Sequence, residues 1–487
     1  MATSESRSGK SPQQYIDESP FWHDGTDTPF VPITQMQMRI WYLATAGQFF
    51  GGLMLFITGV AMPLMTVEFS LNDIQKGLLG STTLFGILVG ATSLGGLSDT
   101  YGRKRMFIIE MAILAVFLTI LSLSPSFSII LIGLFGAGLA LGCDYPTAHI
   151  VISESMATKN RGKLVLGAFG FQAIGALAGT GIGYIVLANA QNVNCWRIMY
   201  ATIILPVLLV MVGRFFITRS AHWLMTHNRV QEAEEELTRL LHKKPMYPQN
   251  IKLTGVSETE EEKSRNQGYK ALFSGKNRRA TLFAAIPWFL QDMGTYGIGL
   301  FTPTILAATF GGATHHKTVA DVIHSDLVAA KGATMLDLLL IIGIVFAVLL
   351  SDRVGRVKLQ IVGFIGCAAG LVMVAVSENI AGTLQMVMLF AGFMLFNFMA
   401  NMGPNSQTYL IAGEVFPTKI RAKGAGFAAS TAKTGAVLTA FFFPILLQTL
   451  GTTVLLAGLA ATSLLGALIT WKFGIETKGV SLEDIGK

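Results

Sequence analysis

Charge is what this chain is short of. Only 13% of its 487 residues are Asp, Glu, Lys or Arg, about half of the roughly 25% typical of soluble domains. A soluble chain of this length would divide into about three or four domains with solvated surfaces. The charge to cover those surfaces is missing. Cysteine is scarce as well: Cys143, Cys195 and Cys367 are odd in number and lie in or beside apolar segments. They read as small core residues and exclude a disulfide framework or a cysteine metal site. No basic stretch leads directly into a short apolar run near the start, so residues 1–39 do not read as a secretory signal. A Gly-x-x-x-x-Gly-Lys-Ser/Thr loop, a His-Glu-x-x-His pair and an arranged nucleophile–base pair are all absent, which argues against an enzyme. Nothing calls for a cofactor or a metal, and His315-His316 reads as an incidental loop pair.

Apolar length is what the chain has. Hydrophobic residues make up 52%, and the mean hydropathy is +0.54. Apolar stretches recur at 40–65, 77–98, 106–125, 127–153, 164–189, 197–217, 280–306, 333–351, 359–377, 384–412, 424–449 and 452–473. Each is long enough for the roughly 17–25 residues a helix needs to cross the hydrocarbon core. The fold class is therefore an all-α membrane protein with twelve transmembrane helices. Polar segments divide it into an N-terminal tail (1–39), a first six-helix bundle (40–217), a central loop (218–279), a second six-helix bundle (280–473) and a C-terminal tail (474–487). Within the loop, residues 228–237 suit a short amphipathic helix.

Basic residues set the orientation. Arg103-Lys104-Arg105, Lys159/Arg161/Lys163, Arg353/Arg356/Lys358 and Lys419/Arg421/Lys423 fall on one side of a twelve-span arrangement, with both tails and the central loop. The alternate links 66–75, 123–127, 188–196, 378–383 and 449–451 contain no Lys or Arg, and only the 307–332 link breaks the pattern. Both termini are expected in the cytoplasm of a cell with this protein in its plasma or bacterial inner membrane. The net charge of +7 then reflects topology, and no nucleic-acid partner is implied.

The halves repeat each other. Asp99-Thr-Tyr-Gly102-Arg103 recurs as Asp352-Arg-Val-Gly355-Arg356, and Glu154, seven residues before Arg161, recurs as Glu414, seven before Arg421. Two homologous bundles imply a transporter with its site between them near the midplane. Gly95 permits close helix approach and Gly102 a tight turn. Asp99 near a helix end suits a pair with Arg103 or with a neighbouring helix N-terminus. Gly95, Asp99, Gly102, Arg103, Glu154, Arg161, Asp352, Arg356, Glu414 and Arg421 are the candidate gate of the cytoplasmic side.

These motifs resemble the major facilitator superfamily over nearly the whole chain after residue 39. Gly142-Cys143-Asp144-Tyr145-Pro146, Ser153-Glu154, Glu414-Val-Phe-Pro417-Thr418 and Glu476-Thr477-Lys478-Gly479 are similar to the phosphate:proton symporters and the related sugar porters. Polar groups inside apolar helices default to function because they are costly there. Trp288, Asp292 and Tyr296 share one helix face at i, i+4 and i+8, beside Pro287, Gly294 and Gly297, which suggests a kinked or partly unwound helix. Asp292 and Lys433 each cost about 2.5–3.5 kcal/mol at a helix centre. Tyr145, Gln172, Trp288, Asp292, Tyr296, Asn405 and Lys433 match the substrate-site pattern of the phosphate:proton symporters.

Lys433 supplies a cation for an anion, and the neutral residues supply hydrogen bonds. An ionised Asp292 accepts a proton-bearing phosphate oxygen and disfavours sulfate. The resemblance thus implies import of inorganic phosphate with protons by alternating access, and a chain that holds both bundles is expected to function as a monomer. Other small solutes (an organic anion, or a sugar that makes poor use of Lys433), uniport, and a phosphate-sensing receptor are the alternatives. Proton coupling is carried by Asp144 and Asp292, although Asp144 also fits as the structural partner of a buried donor. The chain departs from the family at its first span, which holds no acid before Glu68, and at Leu134, where Arg is common.

Overall fold

The computed structural model describes residues 10–18, 31–94, 97–190, 192–242, 251–253, 269–310, 319–417 and 420–478. Twelve spanning helices run through it. The first six are α1 (Gln35–Phe69), α2 (Asp73–Val89, prolonged by a π-helical turn, Gly90–Leu94, and the short helix Leu97–Tyr101), α3 (Arg103–Ser122), α4 (Phe127–Ser155), α5 (Thr158–Asn189) and α6 (Cys195–Phe215). The second six are α7 (Gly275–Phe310), α8 (Val319–Val354), α9 (Arg356–Ser377), α10 (Thr383–Met402, continued as Pro404–Glu414), and α11 and α12, the two parts of Arg421–Phe473 on either side of Gly451.

Side chains that satisfy the orphan amides of a helix start set several boundaries. Thr34 and Gln37 form a reciprocal capping box at α1, and Asn72 and Gln75 form another at α2. The repeated glycines work as turns: Gly102 (φ +93°) and Gly355 (φ +106°) lie just before α3 and α9, in backbone that an L-residue rarely adopts. The two halves therefore share a conformation as well as a motif.

Each half packs as a six-helix bundle, and the bundles meet chiefly where α1 packs on α7, α2 on α11, and α5 on α8. The principal core runs through both, from Leu53, Leu114 and Trp196 to Phe301, Leu371 and Phe443. Large apolar side chains such as Leu205, Leu209, Leu349 and Leu468 point outward, as lipid-facing surfaces require.

Two expectations change. The eighth span begins at Val319 rather than 333, so His324 and Lys331 lie within α8 rather than in a loop. Helix α7 runs unbroken through Pro287, Gly294 and Gly297, while the break falls in α10 at Gly403. The N-terminal tail contributes a helix, Pro12–Asp17, that docks beside α5, with Asp17 accepting from the Thr158 amide (2.7 Å) and hydroxyl (2.8 Å).

In the central loop, helix Val230–Leu241 buries Ala233, Leu237, Leu240 and Leu241, so its apolar face is packed. Gly95, Thr418, Lys419, Gly479 and His315-His316 lie outside the described residues.

Candidate functional site

Two polar features of the bundles carry chemistry: a cavity between them and a pair of ion clusters at the end where the basic loops gather. The cavity is bordered by Tyr145, Gln172, Trp288, Asp292, Tyr296, Asn405 and Lys433 together, and by Asp144 and Gly47. All seven residues singled out in the sequence thus converge, from α4 and α5 of one bundle and α7, α10 and α11 of the other.

Lys433 organises the centre. Its Nζ donates to Asp292 Oδ2 (2.9 Å) and to the Tyr296 hydroxyl (2.9 Å), and it sits 4.5 Å from the Tyr296 ring centroid. Gln172 Nε2 reaches across the bundle interface to the same hydroxyl at 3.0 Å. A polar chain therefore runs from α5 through α7 to α11. Asn405 opens the second segment of α10, where Gly403 and Pro404 break the helix, and accepts from Gln291 Nε2 at 3.1 Å. The site is closed: Asp292, Trp288 and Tyr296 expose 6% or less, and the free space is about 40 Å³, enough for a few water molecules.

Toward the basic loops the lid is aromatic. Tyr409 of α10 stacks on Phe169 of α5 (4.7 Å, 16°) and meets Tyr145 and Trp288 edge-on at 6.1 and 6.3 Å. Tyr409 was not anticipated, since an aromatic in an apolar helix reads first as packing.

Asp144 borders the cavity but turns into its own bundle. Its Oδ1 lies 2.6 Å from Arg214 Nη1 of α6, and Glu110 Oε2 of α3 lies 3.9 Å from the same nitrogen. Arg214 also donates to the Phe107 and Leu43 carbonyls (2.6 and 3.0 Å), and Glu110 accepts from Thr147 at 2.8 Å. Two carboxyls and one guanidinium, all 1% exposed or less, leave an excess negative charge unless one carboxyl holds a proton. Gly47 makes room for this cluster: a Cβ there would stand 1.5 Å from Asp144 Oδ2. Glu110 and Arg214 were missed in the sequence, yet both carried the signal of an ionisable residue inside an apolar span.

At the basic end the repeat becomes a repeated contact. Arg103 pairs with Asp99 (2.7 Å) and Glu154 (3.1 Å); Arg356 pairs with Asp352 (3.0 Å) and Glu414 (3.2 Å). The glutamates also receive hydroxyls from equivalent segments after each bundle, Ser220 on Glu154 (2.5 Å) and Thr477 on Glu414 (2.6 Å). Glu476 accepts from the amides of Arg356 and Val357 (3.0 and 3.2 Å), at the start of α9. Arg161 is half-buried at the start of α5, and Arg421 donates to the Phe416 carbonyl at 3.0 Å. These pairs stay within each bundle.

Two six-helix bundles around a closed polar cavity define a secondary transporter of the major facilitator superfamily, a carrier of small solutes and not an enzyme. The sequence profile of the sugar (and other) transporters matches residues 30–487, and the chain belongs to that family. Among its relatives, the inner membrane metabolite transport protein YgcS of Escherichia coli K12 is 29% identical, with 94% of this chain and 95% of YgcS covered. A protein of Arabidopsis thaliana named "Probable inorganic phosphate transporter 1-6" is 27% identical over 85% of both chains. In fold, the chain is similar to the E. coli xylose transporter XylE in a partially occluded inward-open conformation: TM-score 0.72 at 20% identity, covering 92% of this chain and all of XylE.

Proposed function

We propose that the chain carries inorganic phosphate together with protons across a cell membrane, by alternating access of the central cavity from its two sides. The observation that carries this reading is the pair of half-buried Lys433 with buried Asp292, ringed by the neutral donors Tyr296, Gln172, Trp288, Tyr145 and Asn405. A lysine inside a membrane protein provides a fixed positive charge for an anion, and hydroxyl, amide and indole donors can satisfy the remaining oxygens. A carboxylate beside the lysine suits an anion that still carries a hydrogen, as phosphate does at neutral pH and sulfate does not.

The proton has two carriers in this reading, Asp292 and the Asp144–Arg214–Glu110 cluster. The cluster touches the cavity through Asp144 and holds one carboxyl more than its guanidinium neutralises. It takes the place of an acid in α1, where the chain has none before Glu68. The gating residues Asp99, Arg103, Glu154, Asp352, Arg356 and Glu414 hold each bundle rigid at the basic end, which this reading places in the cytoplasm. Import is then the direction of an inward proton gradient.

The test is uptake of radiolabelled phosphate into proteoliposomes with and without an inward proton gradient. Concentrative uptake that requires the gradient is the expected result. Gradient-independent equilibration would make the protein a phosphate uniporter, and binding without flux a sensor. Absence of phosphate flux from folded protein would turn the assignment to organic anions, which also use the Lys433 charge, and then to sugars.

A further inference from the structure

Helix α8 carries two buried acids that none of the preceding chemistry uses. Asp337 is 4% exposed and Asp326 1%. They are eleven residues apart, about 20° in helix rotation and about 16 Å in rise, so they share the face of α8 that meets α5 of the other bundle. Thr180 of α5 lies there, with its hydroxyl 3.0 Å from Asp337 Oδ2. The same hydroxyl is within 3.2 and 3.3 Å of the Leu177 and Ala176 carbonyls, so its single hydrogen has three acceptors. Among the described residues neither oxygen of Asp326 has a hydrogen-bond partner.

Among the described residues the surroundings hold no counter-charge. Around Asp337, α5 presents Thr180, and α10 presents Asn397, which donates to the Leu336 carbonyl (3.1 Å). Around Asp326, α6 presents the Cys195 thiol. From α1, α7 and α9, which also touch α8, no charged group among the described residues acts on either carboxyl. On α8 itself His324 and Lys331 are exposed while both acids are buried. A carboxylate without a cation is too costly to bury, so it takes up a proton instead.

Position gives these protons a task. Thr180 lies eight residues past Gln172 along α5, about 12 Å farther from the basic end, so the α5–α8 contact closes the opposite, far side of the cavity. Alternating access requires that contact to part, which brings both carboxyls to water, where they ionise. We propose that Asp337 and Asp326 form a proton-operated closure: the far side shuts only after each carboxylate has taken a proton from hydronium, leaving water, and reopens by the reverse transfer. These protons act on the conformational equilibrium and return to the side from which they came. They are distinct from any proton carried with substrate. The inference rests on alternating access between the bundles and is independent of whether the substrate is phosphate.

The experiment needs no substrate. Spin labels are placed on Asn189→Cys at the end of α5 and Asn379→Cys in the α9–α10 turn, both exposed, with the native cysteines buried. Inter-label distances in lipid nanodiscs then report open and closed populations against pH. One proton bound only by the closed state changes the open-to-closed ratio about tenfold per pH unit, so two change it about a hundredfold, between about pH 5 and pH 7. Raising the pH opens the far side. Asp337→Asn and Asp326→Asn, which mimic the protonated shape, each reduce the dependence to about tenfold per unit, and the double variant abolishes it. Thr180→Val shifts the ratio toward open but keeps the full slope, which separates proton linkage from the mere loss of a contact. A distance distribution insensitive to pH in the unsubstituted helices, or an unchanged slope in Asp337→Asn, overturns the proposal.

Discussion

Lys433 Nζ stands 2.9 Å from Asp292 Oδ2 inside the closed cavity, so the cation offered to a solute is already held by a carboxylate. An arriving anion must share Lys433 with Asp292, and it is tolerated beside that carboxylate only if it brings a hydrogen to the contact. Asp292→Asn removes the repulsion and leaves the lysine unopposed. Excess sulfate, which competes poorly with labelled phosphate in the parent protein, should compete within about tenfold as well as unlabelled phosphate in the variant, about 1.4 kcal/mol or less of remaining discrimination. Retained discrimination in Asp292→Asn would remove Asp292 from the selectivity argument.

Stability responds to the same pair in a different pattern. Breaking a buried ion pair by removing one partner costs about 3–5 kcal/mol, because the other charge is left alone. Lys433→Gln should therefore lower the unfolding midpoint of the purified protein markedly, and Asp292→Asn added to it should restore much of the loss. Thermal unfolding in detergent checks this. Additive losses in the double variant would show that the two side chains do not act as a pair.

The separation between what was legible and what was not follows from range. The spans, their repeat and the polar residues of the cavity were visible because each signal is local: apolar length, a motif, an ionisable residue in a helix. The pairing of those residues was not. Asp144 was open to two readings until α6 placed Arg214 beside it, seventy residues and two helices away. The break expected in α7 fell in α10, because prolines and glycines mark where a helix can bend, while packing selects the place. At Gly403 a Cβ would stand 2.5 Å from the Gly363 Cα, so α9 approaches α10 at the break itself. The extended start of α8 was hidden by His324 and Lys331, whose polarity imitates a loop, and with it Asp326.

Gly47 offers a test of the Asp144 cluster that leaves every charge in place. A methyl group there meets Asp144 Oδ2 at 1.5 Å, so either α1 or the carboxylate must move and the 2.6 Å contact with Arg214 is lost or strained. Gly47→Ala should weaken dependence of uptake on the proton gradient more than it weakens phosphate binding, whereas Gly458→Ala in α12, exposed and away from the cavity, where a Cβ meets nothing within 4 Å, serves as the control in a spanning helix. Equal effects of the two substitutions on coupling would detach the cluster from proton transport.

The basic end permits a cycle that distinguishes rigid bundles from a single interlocked gate. Arg103 and Glu154 are in contact, and their side chains expose only 13% and 17%, so Arg103→Gln and Glu154→Gln should be non-additive by about 0.5–3 kcal/mol. Arg103 and Arg356 belong to separate pairs in separate bundles. If each pair only stiffens its own bundle, Arg103→Gln and Arg356→Gln add within about 0.5 kcal/mol in thermal unfolding. Strong coupling between the two arginines would instead mean that the clusters act together across the bundle interface, and the gate at this end would then be electrostatic as well as aromatic. The stacking of Tyr409 on Phe169 favours the first outcome, because it already joins the bundles there without using either arginine.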